Sequence, residues 1–196
     1  MRLFLIRHGQ TDSNVNHLLD TAHPGAPLNE TGHRQAAELA RKLADEPIQA
    51  VYASTLTRAQ ETATPLAAAL GLEVEILDGI QEISAGAEEM NADWSVYVGV
   101  LESWSPSNLD VGIDGGETAR EFITRYAEAV RQVEEAGHDV AALVSHGAAL
   151  RVFALTVSPH LPRALTPELK NTEWIMVEGS SDDGWRVLQW GPNIFD

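Results

Sequence analysis

Short apolar runs that alternate with helical segments are the feature that most limits how this chain can fold. Apolar residues fill positions 3–6, 50–53 and 140–144, and a polar residue follows each run. Such runs are typical of parallel strands that are buried under helices on both sides. The sequence therefore predicts an α/β fold, with a mainly parallel central sheet and helices on both faces in a three-layer α/β/α arrangement.

Periodicity and turn residues predict the remaining elements. We expect further strands at 73–77, 173–177 and 185–190, and helices at 31–44, 56–70, 117–136 and 148–155. With 196 residues, 44% of them hydrophobic, the chain can build one sizeable core but hardly two, so we expect a single domain over 1–196. The stretch at 83–116 has no clear period. We interpret it either as a lid over a site or as a surface excursion whose aromatic residues pack against the fold.

Composition narrows the cellular setting. The chain has no cysteine, so it can form neither disulfides nor thiolate metal sites, and nothing favours an oxidising compartment. We see no signal peptide and no apolar run near the roughly 18–20 residues that span a bilayer. We therefore expect a soluble, cytoplasmic protein.

Negative charge is concentrated in the middle of the chain. The net charge is −16, and residues 59–119 contain no Lys, Arg or His. Such a field repels polyanions over about a Debye length, roughly 8 Å at physiological salt. Nucleic acids and anionic membrane surfaces are therefore not expected as partners.

Side chains that suit phosphate chemistry follow the predicted strands. They are Arg7 and His8 after the first run, Ser54 and Arg58 after the second, and Ser145 and His146 at the end of the third. In open α/β sheets, ligands bind beyond the carboxyl ends of the strands. Arginines can donate paired hydrogen bonds to phosphate, and a neutral imidazole can attack phosphorus. We expect phosphoryl transfer through His8, whose other ring nitrogen should donate to a backbone carbonyl and so fix the tautomer.

Several motifs in order along the chain carry a family resemblance. They are Arg7-His8-Gly9-Gln10-Thr11 with Asn14, Leu28-Asn29-Glu30-Thr31-Gly32 with Gln35-Ala36, Ser54-x-Leu56-x-Arg58-Ala59-x-x-Thr62-Ala63, Glu82, Gly116-Glu117-Thr118, and Ser145-His146-Gly147. This pattern, which runs from residue 2 to about residue 155, resembles the histidine phosphatase superfamily, also called the phosphoglycerate mutase-like family. The resemblance implies that family's fold and a small-molecule phosphomonoester as substrate.

The resemblance also implies roles for single residues. It makes His8 the phosphorylated nucleophile and Glu82 the proton donor to the leaving oxygen. It assigns phosphate binding to Arg7, Arg58, Asn14 and His146, the last of these also counted with the catalytic residues, and it places Gln10, Thr11 and Gly147 around the substrate pocket. Members of the family hydrolyse phosphate esters without a metal or an organic cofactor, so none is expected. A monomer or a homodimer is expected.

The segment after Glu82 departs from the family pattern. Many family phosphatases continue with Gly-x-Trp-Glu-Gly, whereas Gly86 is followed here by Ala87-Glu88-Glu89. Glu82 is the preferred acid, with Glu88 or Glu89 as the alternative. For Arg125, a surface ion pair is the preferred interpretation, although its helix could bring it to the site.

Three functions remain open from the sequence. Hydrolysis is preferred over a mutase reaction, because the family's mutases carry basic residues in a longer insertion, whereas the insertion here is short and has none. A non-catalytic phosphate-binding or interaction module on the same fold is the third. Since no cation lies between Ala59 and Ala119, we expect the substrate beyond its phosphate to be neutral, apolar or cationic.

Overall fold

The computed structural model describes residues 1–195, except for the side chain of Arg163. The strands are β1 (Arg2–Arg7), β2 (Ala50–Ala53), β3 (Val74–Ile76), β4 (Val140–Ser145), β5 (Trp174–Ser180), β6 (Gly184–Trp190) and β7 (Asn193–Ile194). The helices are α1 (Asp12–Val15), α2 (Glu30–Lys42), α3 (Thr57–Leu70), α4 (Ser95–Ser103), α5 (Ala119–Glu135) and α6 (Gly147–Val157). Short 3-10 helices cover Gly86–Glu88 and Arg163–Leu165.

The strands form one mixed sheet in the order β3-β2-β4-β1-β5-β6-β7. β3, β2, β4 and β1 run parallel, whereas β5, β6 and β7 continue the sheet antiparallel. The prediction of a mainly parallel central sheet is confirmed for the part that contains β1 and β4. Their carboxyl ends lie side by side, because Arg7 is in register with Ser145.

Each face of the sheet has its own hydrophobic core. Leu3 and Leu5 of β1 join a core with residues of α5 and α6, whereas Phe4 and Ile6 join a second core with residues of α2 and α3. All four side chains are fully buried, and each contributes roughly 1.5–3 kcal/mol of hydrophobic free energy. The alternation along β1 confirms that helices cover both faces.

The ends of the predicted helices agree with the sequence within a few residues, and capping side chains mark the starts of α2 and α5. Asn29 accepts a hydrogen bond from the backbone of Gly32 at the start of α2, and Thr118 forms a capping box with Glu121 at the start of α5. No helix within residues 1–195 has the length and apolar character needed to cross a membrane.

The insertion at 83–116 is more regular than the sequence indicates. It contains the helix α4, for which the sequence analysis predicted no element. Its aromatic residues are held by hydrogen bonds: the Tyr97 hydroxyl donates to Ile83 O and the Trp104 indole to Val111 O within the insertion, whereas the indole of Trp94 donates to His17 O outside it. The Trp104 ring also stacks on Phe122, with ring centroids 6.2 Å apart.

Candidate active site

The site lies where β1 and β4 end. His8 follows β1 and its backbone N–H donates to Ser145 O, while His146 follows β4 and immediately precedes α6. The two imidazole rings lie 5.2 Å apart between centroids. A Cβ at position 9 would lie 2.9 Å from Gly32 O, so only glycine allows the chain to turn this closely after His8.

The ring of His8 is held in one tautomer. Its Nδ1 lies 2.7 Å from Gly9 O, which confirms the predicted bond to a backbone carbonyl, and its Nε2 accepts a hydrogen bond from Arg58 Nε at 3.1 Å. The side chain is 3% exposed. Burial, together with the positive charges of Arg58 and Arg7, holds the pKa of His8 well below its ordinary value. The ring is therefore neutral at physiological pH, with its lone pair on Nε2.

Arginine and histidine side chains beside His8 have buried nitrogens that lack a hydrogen-bond partner within the described residues. Arg58 donates through Nη2 to Asp20 O at 2.7 Å, while Arg7 donates through Nη1 to Glu168 at 2.9 Å and to Leu169 O. Within the described residues, Arg58 Nη1, Arg7 Nε and His146 Nδ1 have no hydrogen-bond partner. Unpaired buried N–H groups are costly, and a phosphate oxygen is the acceptor that suits guanidinium groups best.

His146 is fully buried and faces His8 from the other strand. Its Nε2 lies 2.7 Å from Ser54 Oγ. Burial first, and then the charges of Arg58, His8, Arg125 and Arg7, lower the pKa of His146 well below its ordinary value. Like His8, this histidine is neutral near pH 7.

Glu82 is the predicted acid, and the fold brings it to the same cavity. Its carboxylate accepts the backbone N–H groups of Ala148 at 3.1 Å and Ala149 at 2.8 Å, so it sits on the first turn of α6. Arg125 holds the preceding loop by donating to the carbonyl oxygens of Gly79, Gln81 and Glu82. It also pairs with Glu117, with Nη2 and Oε2 2.7 Å apart. Arg125 thus forms a half-buried ion pair, in place of the surface pair preferred from the sequence.

The alternative acids do not line the cavity. Glu89 accepts hydrogen bonds from the backbone and hydroxyl of Thr21 and from the backbone of Ala22. Glu88 accepts from the Asn91 amide at 2.7 Å. Both carboxylates connect parts of the loops around the site, and neither reaches the cavity that contains His8.

The loop after His8 supplies further polar groups. Asn14 and Thr11 line the cavity, and so does Gly147. Asn14 Oδ1 accepts from Thr11 N at 3.1 Å and from Asn171 Nδ2 at 3.2 Å, so its amide N–H groups remain for a ligand. Gln10, predicted to lie at the pocket, is turned away: its side-chain oxygen accepts from Asn29, and its backbone N–H donates to Gln35.

A cavity of about 900 Å³ extends from this polar end under the insertion. Its far walls are mainly apolar, and the side chains there are Trp94, Val98, Leu101, Trp104, Ile123, Val152 and Leu155. Three residues at the site were not expected from the sequence. Asp20 holds Arg58, Asn171 also donates to His8 O at 3.0 Å, and Arg151 of α6 lines the cavity. Only the helical phase of Arg151 relative to Gly147 could have indicated its position.

Within residues 1–195, no three His, Asp or Glu side chains are grouped so as to hold a metal ion. The polar end of the cavity contains a neutral imidazole whose Nε2 carries the lone pair, arginine and histidine N–H groups, and the Glu82 carboxylate, which is not paired with any arginine whose side chain is described. These groups can bind a phosphoryl group and present a nucleophile to it.

Comparison with known proteins agrees with this chemistry. The chain is 30% identical to PE-PGRS family protein PE_PGRS11 of Mycobacterium tuberculosis over 94% of its length, but it spans only 35% of that protein. It is also 30% identical to a broad-specificity phosphatase of Saccharomyces cerevisiae, covering 78% of this chain and 68% of the relative. Other bacterial relatives, 28% and 29% identical, carry phosphoglycerate mutase names.

A solved structure of a mycobacterial glucosyl-3-phosphoglycerate phosphatase complexed with VO3 has the same fold. The TM-score is 0.83 at 24% identity, and the alignment covers 98% of this chain and 99% of the other. Residues 3–193 match the histidine phosphatase superfamily, branch 1. The match spans nearly the whole chain and includes every residue of the site described above, so this protein belongs to the histidine phosphatase superfamily.

Proposed function

We propose that this protein is a phosphomonoester hydrolase that acts through a phosphohistidine on His8. The observation that carries the proposal is the neutral Nε2 of His8, which faces Arg58 at 3.1 Å beside N–H groups that have no partner. A neutral, oriented lone pair is what attack on phosphorus requires, and the unpaired N–H groups would stabilise the charge on the transferring phosphoryl oxygens.

The proposed reaction has two steps. In the first, the lone pair of His8 Nε2 forms a bond to phosphorus, the ester P–O bond breaks, and Glu82 protonates the leaving oxygen. In the second, Glu82 takes a proton from water, whose oxygen attacks phosphorus, and the P–N bond breaks to release inorganic phosphate. Both oxygens of Glu82 accept backbone N–H groups in this structure, so Glu82 must exchange one of these bonds for the substrate oxygen.

The roles of the other residues follow from their positions. Arg7, Arg58 and His146 would donate to the phosphoryl oxygens through their free nitrogens, and the Asn14 amide would add a further donor. Gly147 would line the pocket. Its lack of a side chain leaves room for Arg7, because a Cβ at this position would lie 3.2 Å from Arg7 Nε. Thr11 would shape the loop through its bond to Asn14.

The walls of the cavity favour a substrate with a bulky apolar remainder. The insertion contributes aromatic and aliphatic side chains and no cation, as the sequence requires. This supports the apolar part of the hypothesis made from the sequence. Its charge part rested on residues 59–119, and the cavity receives a cation from α6, which lies outside that range.

Further expectations complete the proposal. We propose one domain over 1–196 with the stretch 83–116 as a lid over the cavity, and a monomer or homodimer in the cytoplasm. The aromatic residues of the insertion, which both pack on the fold and line the cavity, support the lid. The acidic field of residues 59–119 supports the expectation that nucleic acid and anionic membrane surfaces are not partners.

Trapping of the phosphoenzyme tests the function. We expect protein mixed with ³²P-labelled phenyl phosphate and quenched in alkali to carry an acid-labile label, with inorganic phosphate released on longer incubation. His8→Ala should lose both, whereas His33→Ala, at an exposed histidine on α2, should keep both. Absence of label and turnover in the wild-type protein would favour the binding module. Transfer to 3-phosphoglycerate faster than to water would favour the mutase.

A further inference from the structure

One cavity residue has no role in the reaction proposed above. Arg151 lies on the same face of α6 as Gly147, Ala148, Val152 and Leu155, which all line the cavity. The residue is half-buried, and its Nε is fully shielded from solvent. Within the described residues, none of its nitrogens has a hydrogen bond or an ion pair.

This lack of a partner sets Arg151 apart from the other cavity arginines. Arg7 pairs with Glu168 at 2.9 Å, and Arg58 Nη1 lies 3.7 Å from Asp20 Oδ1. A guanidinium with a shielded, unpaired N–H beside apolar side chains is costly for the free protein. Such a cost is recovered when a ligand brings an acceptor of opposite charge.

The acidic residues of the same cavity do not fill this role. Glu82 is bound to the first turn of α6, and Glu168 to Arg7. Glu102 of α4 is exposed and forms no ion pair with Arg151. These carboxylates also disfavour a highly charged substrate, so a single negative charge fits the surroundings of Arg151 better than a second phosphate.

The helix fixes the place of Arg151 relative to the phosphate site. Gly147 lies beside the Arg7 guanidinium, and Arg151 follows four residues later, about 6 Å further along the axis of α6. The side chains of Val152 and Leu155 follow on the same face of α6. A ligand with its phosphate at His8 would therefore pass Arg151 before it reaches the apolar end.

We propose that Arg151 binds a carboxylate on the leaving-group part of the substrate and so selects monoesters that combine an apolar body with one negative charge. The inference rests on the proposed function, because it assumes that the phosphate binds at His8. It replaces the neutral or cationic remainder expected from the sequence, while the apolar part of that expectation remains.

Matched substrates and variants test the proposal. We compare kcat/KM for phenyl phosphate with that for 3-carboxyphenyl and 4-carboxyphenyl phosphate, which differ only by the carboxylate. The wild-type protein should prefer one of the carboxylated esters. Arg151→Met should lower that preference at least about tenfold, and change the rate on phenyl phosphate by less than about threefold. Arg131→Met, at an exposed arginine of α5 outside the cavity, should leave the preference unchanged.

Binding of the matching phosphonates, which cannot be hydrolysed, separates this proposal from the proposed function. Calorimetry should give a lower Kd for a carboxyphenylphosphonate than for phenylphosphonate, and Arg151→Met should remove the difference. This result without any turnover would refute the hydrolase and leave the role of Arg151 intact. The role of Arg151 would be refuted if the wild-type protein preferred phenyl phosphate, or if Arg151→Met lowered kcat/KM equally for all three esters.

Discussion

The two ring nitrogens of His8 have different surroundings, and this difference determines what the residue can do. Gly9 O holds the proton on Nδ1, and Arg58 directs an N–H group at the lone pair of Nε2. A bound phosphate would compete for that N–H group and free the lone pair for attack. Asn171 fixes the same loop from the other side, through His8 O and Asn14. The nucleophile is thus positioned by two segments that are far apart in the sequence.

The first prediction for single residues concerns Glu82 as the proton donor. Glu82→Gln should lower kcat on an alkyl phosphate such as phenethyl phosphate by about 100-fold or more, because the leaving alkoxide needs a proton. On 4-nitrophenyl phosphate, whose leaving oxygen is stable without a proton, the loss should be much smaller. The measurement is kcat for both esters in the wild-type protein and the variant.

Glu89→Gln is the matched control, since Glu89 is one of the two alternative acids considered from the sequence. Its carboxylate bonds to the Thr21 and Ala22 segment, and Glu89 itself does not line the cavity. The variant should therefore change kcat for both esters by the same factor. A leaving-group dependence in Glu89→Gln, or its absence in Glu82→Gln, would contradict the assignment of the acid.

The sequence could identify the site residues that follow strands directly. Arg7, His8 and His146 come at the ends of apolar runs, so their meeting at one sheet edge could be expected. Arg151 and Asn171 could not be identified in this way. The position of Arg151 depends on which face of α6 is turned toward the cavity. The position of Asn171 depends on the path of the chain after that helix. Tertiary packing determines both.

At the scale of elements, the start of α6 connects the phosphate site to the insertion. His146 precedes the helix, Glu82 binds its first backbone N–H groups, and Arg125 of α5 holds the loop that carries Glu82. Negative charge at a helix N-terminus is stabilised by the helix dipole. The position of the acid therefore depends on how α5 and α6 pack together.

Removing Arg125 should loosen this connection. Arg125→Met leaves three backbone carbonyls and the Glu117 carboxylate without their guanidinium partner. We expect the free energy of unfolding to fall by about 2–4 kcal/mol, measured by urea titration. Arg131 is on the same helix as Arg125 and forms an exposed ion pair with Asp182. Arg131→Met should therefore lower the free energy of unfolding by less than about 1 kcal/mol. Equal losses in the two variants would argue against a positioning role for Arg125.

The helix α4 shows why some elements escape sequence analysis. The strands and the long helices carry clear apolar periods, and the structure confirms them within a few residues. The run Ser-Val-Tyr-Val-Gly-Val-Leu-Glu-Ser at 95–103 is short and contains a central glycine, and its polar residues stand only near its two ends, so no amphipathic period is apparent. Its Tyr97 packs into the core while Val98 and Leu101 line the cavity, so it has apolar surroundings on more than one side.

At the scale of the whole molecule, the sheet that builds the site also buries two ionisable histidines. His8 and His146 directly follow β1 and β4 and are 3% and 0% exposed. Both are kept neutral by burial and by the neighbouring arginine charges. The same burial therefore lowers the stability of the fold in acid and keeps the nucleophile unprotonated near neutral pH.

This arrangement predicts a specific dependence of stability on pH. In the unfolded chain both histidines take up protons as the pH falls below about 6.5, whereas in the folded protein their lowered pKa values keep them neutral. Since the unfolded state then binds more protons, the free energy of unfolding has its full value above that pH and decreases below it. Each histidine should contribute up to about 1.4 kcal/mol per pH unit.

Urea titrations between pH 7.5 and 5.5 measure this slope and assign it to residues. His146→Gln, whose amide oxygen can still accept from Ser54 Oγ, should reduce the slope below pH 6.5 by up to about 1.4 kcal/mol per pH unit, whatever its effect on stability at pH 7.5. His33→Gln removes an exposed histidine and should leave the slope as it is. If His146→Gln keeps the full wild-type slope, His146 is protonated in the folded protein, and the neutral pair at the centre of the proposed site is wrong.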